Sequence, residues 1–295
     1  MHGILLALLA YVIWGAFPLF FSLLNQVPPI EILSNRIIWA FVATLIIIQF
    51  VRKNTALLTS LKSWSTVKWL IVSSILITIN WLVFIWAVAE HKVLESSLGY
   101  FMTPLVSMTL GRLFFNESIN RLQIIAALLA TAGVVQELLA LGRLPWISIT
   151  LALSFGFYGS VRKYKPVDSL IGITIETLLL LPFAIAYLIW QPVPMAFGQE
   201  LTTSLLLVAS GLLTAVPLLL FASAAKRLDL TVVGFMMYIN PSLQFLTAVY
   251  IFNEPFSIER LTSFIIIWIA MGFFTMGLRQ KSKRAVIKAH IDSSL

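Results

Sequence analysis

The chain has 295 residues, and none is cysteine. That excludes disulfides, iron–sulfur clusters and thiolate zinc sites. Histidine is nearly as scarce: His2, His91 and His290 lie far apart, which argues against a histidine metal cluster. Charge is the third shortage. Asp, Glu, Lys and Arg make up 11% of the residues, where soluble domains carry about 25%. At about 150 residues per domain the length alone would imply two soluble domains, but so little charge cannot cover their surfaces. No GxxxxGK[ST] motif occurs and no connection is long enough for a nucleotide-binding domain, so an ATP-driven pump in a single chain is excluded. No Ser/His/Asp set, HExxH motif or facing pair of aspartates is visible. A membrane-embedded enzyme is therefore disfavoured, and no metal or other cofactor is expected.

What is present is apolar. Hydrophobic residues make up 60% of the chain, against about 45–50% in soluble domains. A bilayer core about 30 Å thick is crossed by about 20 helical residues. Ten stretches qualify: Gly3–Phe21, Glu31–Val51, Trp69–Ala89, Val93–Phe115, Leu122–Leu141, Leu144–Val161, Leu170–Trp190, Leu205–Ala225, Leu230–Phe252 and Ile258–Leu278. Their apolar character is continuous, which argues for helices and against the alternating strands of a barrel. The first stretch lacks a basic n-region, and its run through Phe21 is too long for an h-region, so it reads as a span and not as a cleaved signal peptide. The longest connection, Arg52–Lys68, has 17 residues, and only the segment after Leu278 looks soluble and unstructured.

The net charge of +8 would point to nucleic acid in a soluble protein. Its distribution points elsewhere. With the N-terminus placed inside, sixteen of the 20 Lys and Arg residues fall in inner segments or at inner span ends. Lys92, Arg143 and Arg260 fall outside, and Arg36 lies within a span. This bias follows the positive-inside rule with both termini cytoplasmic, and it removes the case for nucleic acid. Trp64, Trp69, Trp146 and Trp190 sit at span ends, the positions of an aromatic belt.

The chain also repeats itself. Shifted by 137 residues, Pro104 falls on Pro241, and Phe115-Asn116-Glu117 falls on Phe252-Asn253-Glu254. Leu70–Glu117 holds ten identities in 48 positions at this shift, including Phe84 with Phe221. With small gaps, Trp14-Gly15 aligns with Tyr158-Gly159 and Ile30-Glu31 with Ile175-Glu176. Five spans per half is an odd number, so the second half enters the membrane inverted, a plan that in transporters puts the substrate site between the halves. The expected fold is an all-α membrane protein of ten transmembrane helices. Residues 1–141 form the first five-helix repeat, 142–278 the inverted second, and 279–295 a basic cytoplasmic tail.

Several stretches carry a family resemblance: Ala10-Tyr-Val-Ile-Trp-Gly15, Glu31-Ile-Leu-Ser-Asn-Arg-Ile-Ile-Trp39, Asn80-Trp-Leu-Val-Phe-Ile-Trp-Ala87, Leu94-Glu-Ser-Ser-Leu-Gly-Tyr-Phe101, Ser154-Phe-Gly-Phe-Tyr-Gly159, Val216-Pro-Leu-Leu-Leu-Phe221 and Tyr238-Ile-Asn-Pro241. Over nearly the whole chain the sequence resembles the drug/metabolite transporter superfamily, in its EamA-type branch and the RarD family. The resemblance implies ten helices, a multi-pass protein of the bacterial inner membrane, an exporter-like carrier and an association with chloramphenicol sensitivity. Where the superfamily often has Gly-Glu at the ends of the fourth and ninth spans, this chain has Asn-Glu. Asn tolerates the left-handed C-cap, so the same turn is expected at Asn116 and Asn253.

Ionisable groups inside spans are costly and face a cavity or a partner. Glu31 and Arg36 are the first candidates, as substrate-contacting charges or as a structural pair, although five residues of separation puts them about 140° apart on a helix. Glu176, the repeat counterpart of Glu31, is either a proton carrier or a satisfied structural acid. Asn80, Trp81 and Phe84 combine an amide with aromatic faces, which suits a ligand part polar and part planar. Tyr11, Trp14, Tyr100, Tyr158, Phe221 and Tyr238 extend the aromatic cluster, and Asn240 with Gln244, four apart, adds polar lining. Trp86 belongs with the outer belt, Glu95 with the N-terminus of its helix, and His91 with a solvated loop. Pro104 and Pro241 each kink a span and serve as symmetric hinges, or else simply shape packing. The small residues Ala126, Ala130, Gly133, Ala270 and Gly277 allow close helix contact, either within the chain or across a homodimer.

The expected partners are a small-molecule substrate and the lipid bilayer, with protons and a second copy of the chain as open additions. The expected function is a secondary-active or facilitative transporter of small organic metabolites such as amino acids or amphipathic drugs, exporting by alternating access. A non-transporting membrane receptor or assembly protein is the alternative.

Overall fold

The computed structural model describes residues 2–116, 119–141, 144–225, 236–255 and 257–294. Glu117, Arg143, Lys226, Arg227 and the start of the expected ninth span lie outside them. The described elements are α1 (His2–Gly15), α2 (Phe17–Ser22), α3 (Pro29–Phe50), α4 (Asn54–Lys62), α5 (Trp64–Ala89), α6 (Val93–Phe115), α7 (Arg121–Leu141), α8 (Trp146–Tyr164), α9 (Ser169–Trp190), α10 (Leu201–Ala225), α11 (Ile239–Leu246), continued by a π-helical turn at Thr247–Ile251, and α12 (Ile258–Ser294). No strand occurs among the described residues. Five segments are long and apolar enough to cross a membrane: Gly3–Ser22, Pro29–Phe50, Trp64–Ala89, Ser169–Trp190 and Leu201–Phe221.

Local chemistry accounts for the helix ends. Pro28-Pro29 opens α3, where a missing N–H costs nothing. At the end of α3, Arg52 takes φ 54°, Arg52 N–H donates to the Gln49 carbonyl and Lys53 N–H to that of Ile48. The end of α5 repeats the motif: His91 takes φ 53° and donates to Val88, and Lys92 donates to Ala87. Both are Schellman turns, which satisfy carbonyls that the helix leaves free. Asn116 and Asn253 adopt the expected left-handed conformation, with φ of 51° and 50°. Asn120 and Gln123 form a reciprocal capping box at the start of α7, each side chain accepting the other's backbone N–H. Asp168 caps α9 by accepting from Leu170 and Ile171.

Three expectations need correction. The connection Arg52–Lys68 is not a loop: it holds α4, whose Leu57 packs against the bundle, and α5 begins at Trp64, five residues before the expected Trp69. The first span breaks at Ala16, because Pro18 lacks the N–H that would continue the ladder. The basic segment 279–295 is helical through Ser294 as part of α12 and not unstructured, since no Gly or Pro follows Gly277.

The two prolines behave differently. Pro104 lies inside α6, which runs on without a break. Just ahead of Pro241 the chain turns: Met237 and Tyr238 form a turn, α11 begins at Ile239, and the Met237 carbonyl accepts from Asn240 N–H at 3.3 Å. Pro241 has no N–H to offer that carbonyl, which is the physical reason for the turn.

The most extensive helix packing joins the first 141 residues to the rest. α7 packs on α12, α6 and α5 on α8, α3 on α9 and α10, and α1 on α10 and α11. The α7–α12 seam is built from small residues: Ala126, Ala130 and Ala270 are buried, and a side chain at Gly133 would crowd Ile267. The small-residue faces are thus engaged within the chain. Outward, large apolar side chains such as Phe50, Leu128, Ile189 and Leu201 are exposed, whereas Glu31, Arg36, Asn80 and Glu176 are buried. Apolar outside and polar inside is the arrangement a lipid solvent demands. This is a multi-pass membrane protein.

Candidate functional site

A cavity of about 290 Å³ lies between the two halves of the chain. It falls at the small end of the range of about 300–1,000 Å³ typical of small-molecule sites. Residues 1–141 contribute Tyr11, Trp14, Phe17, Arg36, Ile77, Asn80, Trp81, Phe84 and Tyr100. The remainder contributes Phe155, Tyr158, Arg162, Ser169, Ile173, Thr214, Phe221, Met237, Asn240 and Gln244. α7 and α12 contribute none of these.

The lining follows helical periodicity. Ile77, Asn80, Trp81 and Phe84 stand at i, i+3, i+4 and i+7, one stripe along α5. Tyr158 and Arg162 share a face of α8, as Asn240 and Gln244 share one of α11. The rings touch in sequence around the wall. Tyr11, Trp14 and Phe221 form a triangle with centroids 5.6, 5.9 and 6.1 Å apart. Phe84, Tyr100, Phe155 and Tyr158 form a chain with steps of 6.0, 6.4 and 5.9 Å. Such edge and tilted contacts hold the rings rigid and leave faces for a planar ligand.

The polar members are held as firmly. Asn80 donates through Nδ2 to the Leu151 carbonyl and to Ser154 Oγ, each at 3.1 Å, and accepts from Tyr100 Oη at 3.1 Å. Its amide therefore joins α5, α6 and α8. Gln244 Nε2 donates to Asn240 Oδ1 at 2.8 Å. Arg36 projects from the second turn of α3 and is 3% exposed. Its Nε donates to Thr214 Oγ1 at 2.8 Å, and its guanidinium carbon stands 4.4 Å from the Trp81 ring centroid.

Three expected residues do not line the cavity. Glu31 is fully buried in the first turn of α3, where its Oε1 accepts from the backbone N–H of Ala196 at 2.7 Å and Phe197 at 3.4 Å. It binds the segment before α10 and does not pair with Arg36. Glu176 lies behind the wall: its carboxylate accepts from Ser73 Oγ at 2.5 Å, Arg162 Nη1 at 3.3 Å and Tyr158 Oη at 3.3 Å. Two of those partners face the cavity. Tyr238 is buried in the core beside the Met237 turn. Of the peripheral residues, Trp86 packs on Trp146 at 5.1 Å under Lys92, and His91 is exposed. The α6 N-terminus is capped by Glu254, whose carboxylate accepts from Val93 N–H at 2.5 Å and Leu94 N–H at 2.9 Å.

Sequence reasoning missed Phe17, Ile77, Phe155, Arg162, Ser169, Ile173, Thr214 and Met237. Signals existed for some. Ile77 completes the α5 stripe, and Arg162 follows Tyr158 by four. Thr214 and Met237 are the partners of Ile77 and Tyr100 at the 137-residue shift, and both members of each pair line the cavity. Arg162 was hidden by its position beside Lys163, where it read as an inner-face charge.

The EamA-like transporter family model matches residues 1–136. Protein RarD of Escherichia coli is 44% identical over 278 residues, 93% of this chain and 94% of its own. An uncharacterized transporter of Bacillus subtilis, YojE, is 42% identical over 287 residues, 96% of each chain. A chloramphenicol-sensitive protein RarD of Pseudomonas aeruginosa is 31% identical over 96% of this chain and 97% of its own. One solved crystal structure superposes on 94% of this chain and 98% of its own with a TM-score of 0.64 at 18% identity, a likeness of fold alone. With relatives this similar along almost their entire length, the chain belongs to the EamA-like transporters of the drug/metabolite transporter superfamily, in the RarD group.

Proposed function

We propose that the protein exports small amphipathic organic solutes, amino acids or planar drugs among them, across the bacterial inner membrane by alternating access. The observation that carries this reading is the cavity itself: aromatic walls, a few anchored polar groups, and lining drawn from both halves of the chain. A binding surface shared between two halves is the one that rocking would expose first to one side and then to the other. In this reading the halves are inverted five-helix repeats, ten spans in all, with both termini cytoplasmic. Support comes from the shift-related pairs Ile77 with Thr214, Phe84 with Phe221, and Tyr100 with Met237, which all meet at the cavity. The turn ahead of Pro241 serves as one hinge and Pro104, inside an unbroken helix, as its counterpart.

Transport is either facilitative or coupled to protons. A coupling proton would travel on Glu176, whose partners Tyr158 and Arg162 reach the cavity. Efflux by Glu176→Gln, followed against pH, separates the two: loss of a pH dependence present in the wild type favours coupling, and unchanged behaviour favours facilitation.

Flux assays in proteoliposomes test the main reading. Efflux of at least one member of a panel of amino acids and amphipathic drugs is expected, with loss of that efflux in Ile173→Trp, which fills the cavity while leaving membrane insertion intact. No movement of any solute would favour a receptor or assembly role.

A further inference from the structure

We propose that the cavity recognises a monocarboxylate, with Arg36 as its anchor. This rests on the transporter reading and names the substrate class of the same site. The Arg36 guanidinium is sandwiched by rings, its carbon 4.4 Å from the Trp81 centroid and 5.4 Å from those of Phe17 and Phe21. Ring contacts of this kind engage the face of a guanidinium and leave its N–H edge available. One position on that edge is used, Nε on Thr214. Nη1 is buried without a hydrogen-bond partner among the described residues.

No acid of the chain, among the described residues, neutralises this cation. Glu31 is engaged by the Ala196 and Phe197 amides, and Glu176 by Ser73, Tyr158 and Arg162. A buried cation without a counter-ion is expensive, so its retention inside a membrane bundle marks a site for a ligand of opposite charge. The amount of charge narrows the class. Arg162 has its acidic partner in Glu176, which leaves Arg36 as the one lining cation without an acidic partner among the described residues. One carboxylate balances that, whereas a phosphate dianion overshoots it and a cationic solute is repelled. A neutral ligand can offer Nη1 an acceptor oxygen but leaves the Arg36 charge without a counter-ion. The planar fork of Arg matches the two oxygens of a carboxylate. The Tyr11–Trp14–Phe221 triangle offers faces for the apolar body.

Three probes on one carbon skeleton test this: hydrocinnamate, its primary amide and the corresponding primary amine. Binding to the purified full-length protein is followed by thermal shift, since a ligand of the folded state raises its apparent stability. Hydrocinnamate is expected to bind at least about tenfold more tightly than the amide, as one charge-assisted hydrogen bond implies, and the amine most weakly. Arg36→Gln should erase the preference and Arg36→Lys keep part of it. Should Arg36→Gln fail to fold, the wild-type ranking decides alone. Equal binding of amide and carboxylate, a preference surviving in Arg36→Gln, or a flux panel moving only neutral or cationic solutes overturns the proposal and leaves the transporter reading standing. No flux of any solute removes both.

Discussion

Asn80 shows how a single side chain in this bundle can be part of the cavity and part of the frame. Its three hydrogen bonds tie three helices together while the residue also lines the cavity. Interhelical hydrogen bonds in membrane proteins average about 0.6 kcal/mol, so Asn80→Leu should cost about 2 kcal/mol. Unfolding of the purified variant in detergent measures that loss. Glu176 gives a sharper case. Replacing it by Gln keeps the shape but strands Arg162, whose side chain is 15% exposed, so the loss should fall below the cost of about 3 kcal/mol for a fully buried unpaired charge. Glu176→Gln is therefore expected to melt well below the wild type, with much of the loss recovered in Glu176→Gln/Arg162→Gln. A double-mutant cycle without coupling would refute the ion pair as a source of stability. Glu31 acts at a distance from the cavity, and Glu31→Gln should chiefly speed amide exchange at Ala196 and Phe197.

At the scale of elements, close approach and interruption matter more than helix propensity. α10 crosses α3 at Gly211, where a side chain would overlap the backbone of Trp39. Gly211→Ala should force the helices apart and cost about 1–3 kcal/mol, as overpacked cores do. The same logic applies on α9, where the Arg162 guanidinium lies in the space a Gly172 side chain would fill. Pro241 works through its missing N–H. Pro241→Ala restores a donor to the Met237 carbonyl and should let the helix run through Tyr238. Efflux is expected to fall while thermal stability holds or rises; unchanged efflux would remove Pro241 as a hinge. Most of this level was legible in sequence. The left-handed turns at Asn116 and Asn253 follow from residue type, and the α5 stripe follows from a 3.6-residue period. α4 was not legible, because a short polar segment with a few apolar residues carries no span signal and its Leu57 finds burial only in the folded bundle.

At the scale of the whole molecule, the halves interlock, and one tie between them is ionic. Lys53 Nζ lies 2.7 Å from Asp168 Oδ2, joining the end of α3 to the start of α9. Partial burial works to raise the Asp168 pKa, but the Lys53 hydrogen bond and charge, with the Ile171 and Leu170 amides, together hold it below the usual carboxylate value. A carboxyl whose folded pKa is lowered stabilises above its unfolded value of about 3.9 and loses that effect as pH falls through the folded value. The difference in melting temperature between wild type and Lys53→Ala should therefore be small and constant from pH 8 to pH 5, and shrink below about pH 4. A difference that grew on acidification would contradict the tie.

The sequence by itself determined the solvent, most of the membrane-crossing elements and most of the cavity's cast. Sixty per cent apolar residues with 11% charge can be stable only in lipid, and a helix in lipid must satisfy its own backbone, so spans and their turns are written locally. Eleven of the fourteen residues singled out as binding candidates line the cavity, whereas Glu31, Glu176 and Tyr238 are held in the frame behind it. Only the tertiary structure decided which charges pair. Glu31 and Arg36 are near in sequence yet bond to separate partners, Glu31 to the Ala196 and Phe197 amides and Arg36 to Thr214, and Arg162 turns inward to Glu176 from a position that looked like an inner-face charge. Pairing depends on distances between different helices, and the hydropathy of one chain carries no record of those distances. For the same reason sequence named Arg36 as a rare buried charge, and the folded bundle showed it held by Thr214 and three rings with Nη1 unclaimed.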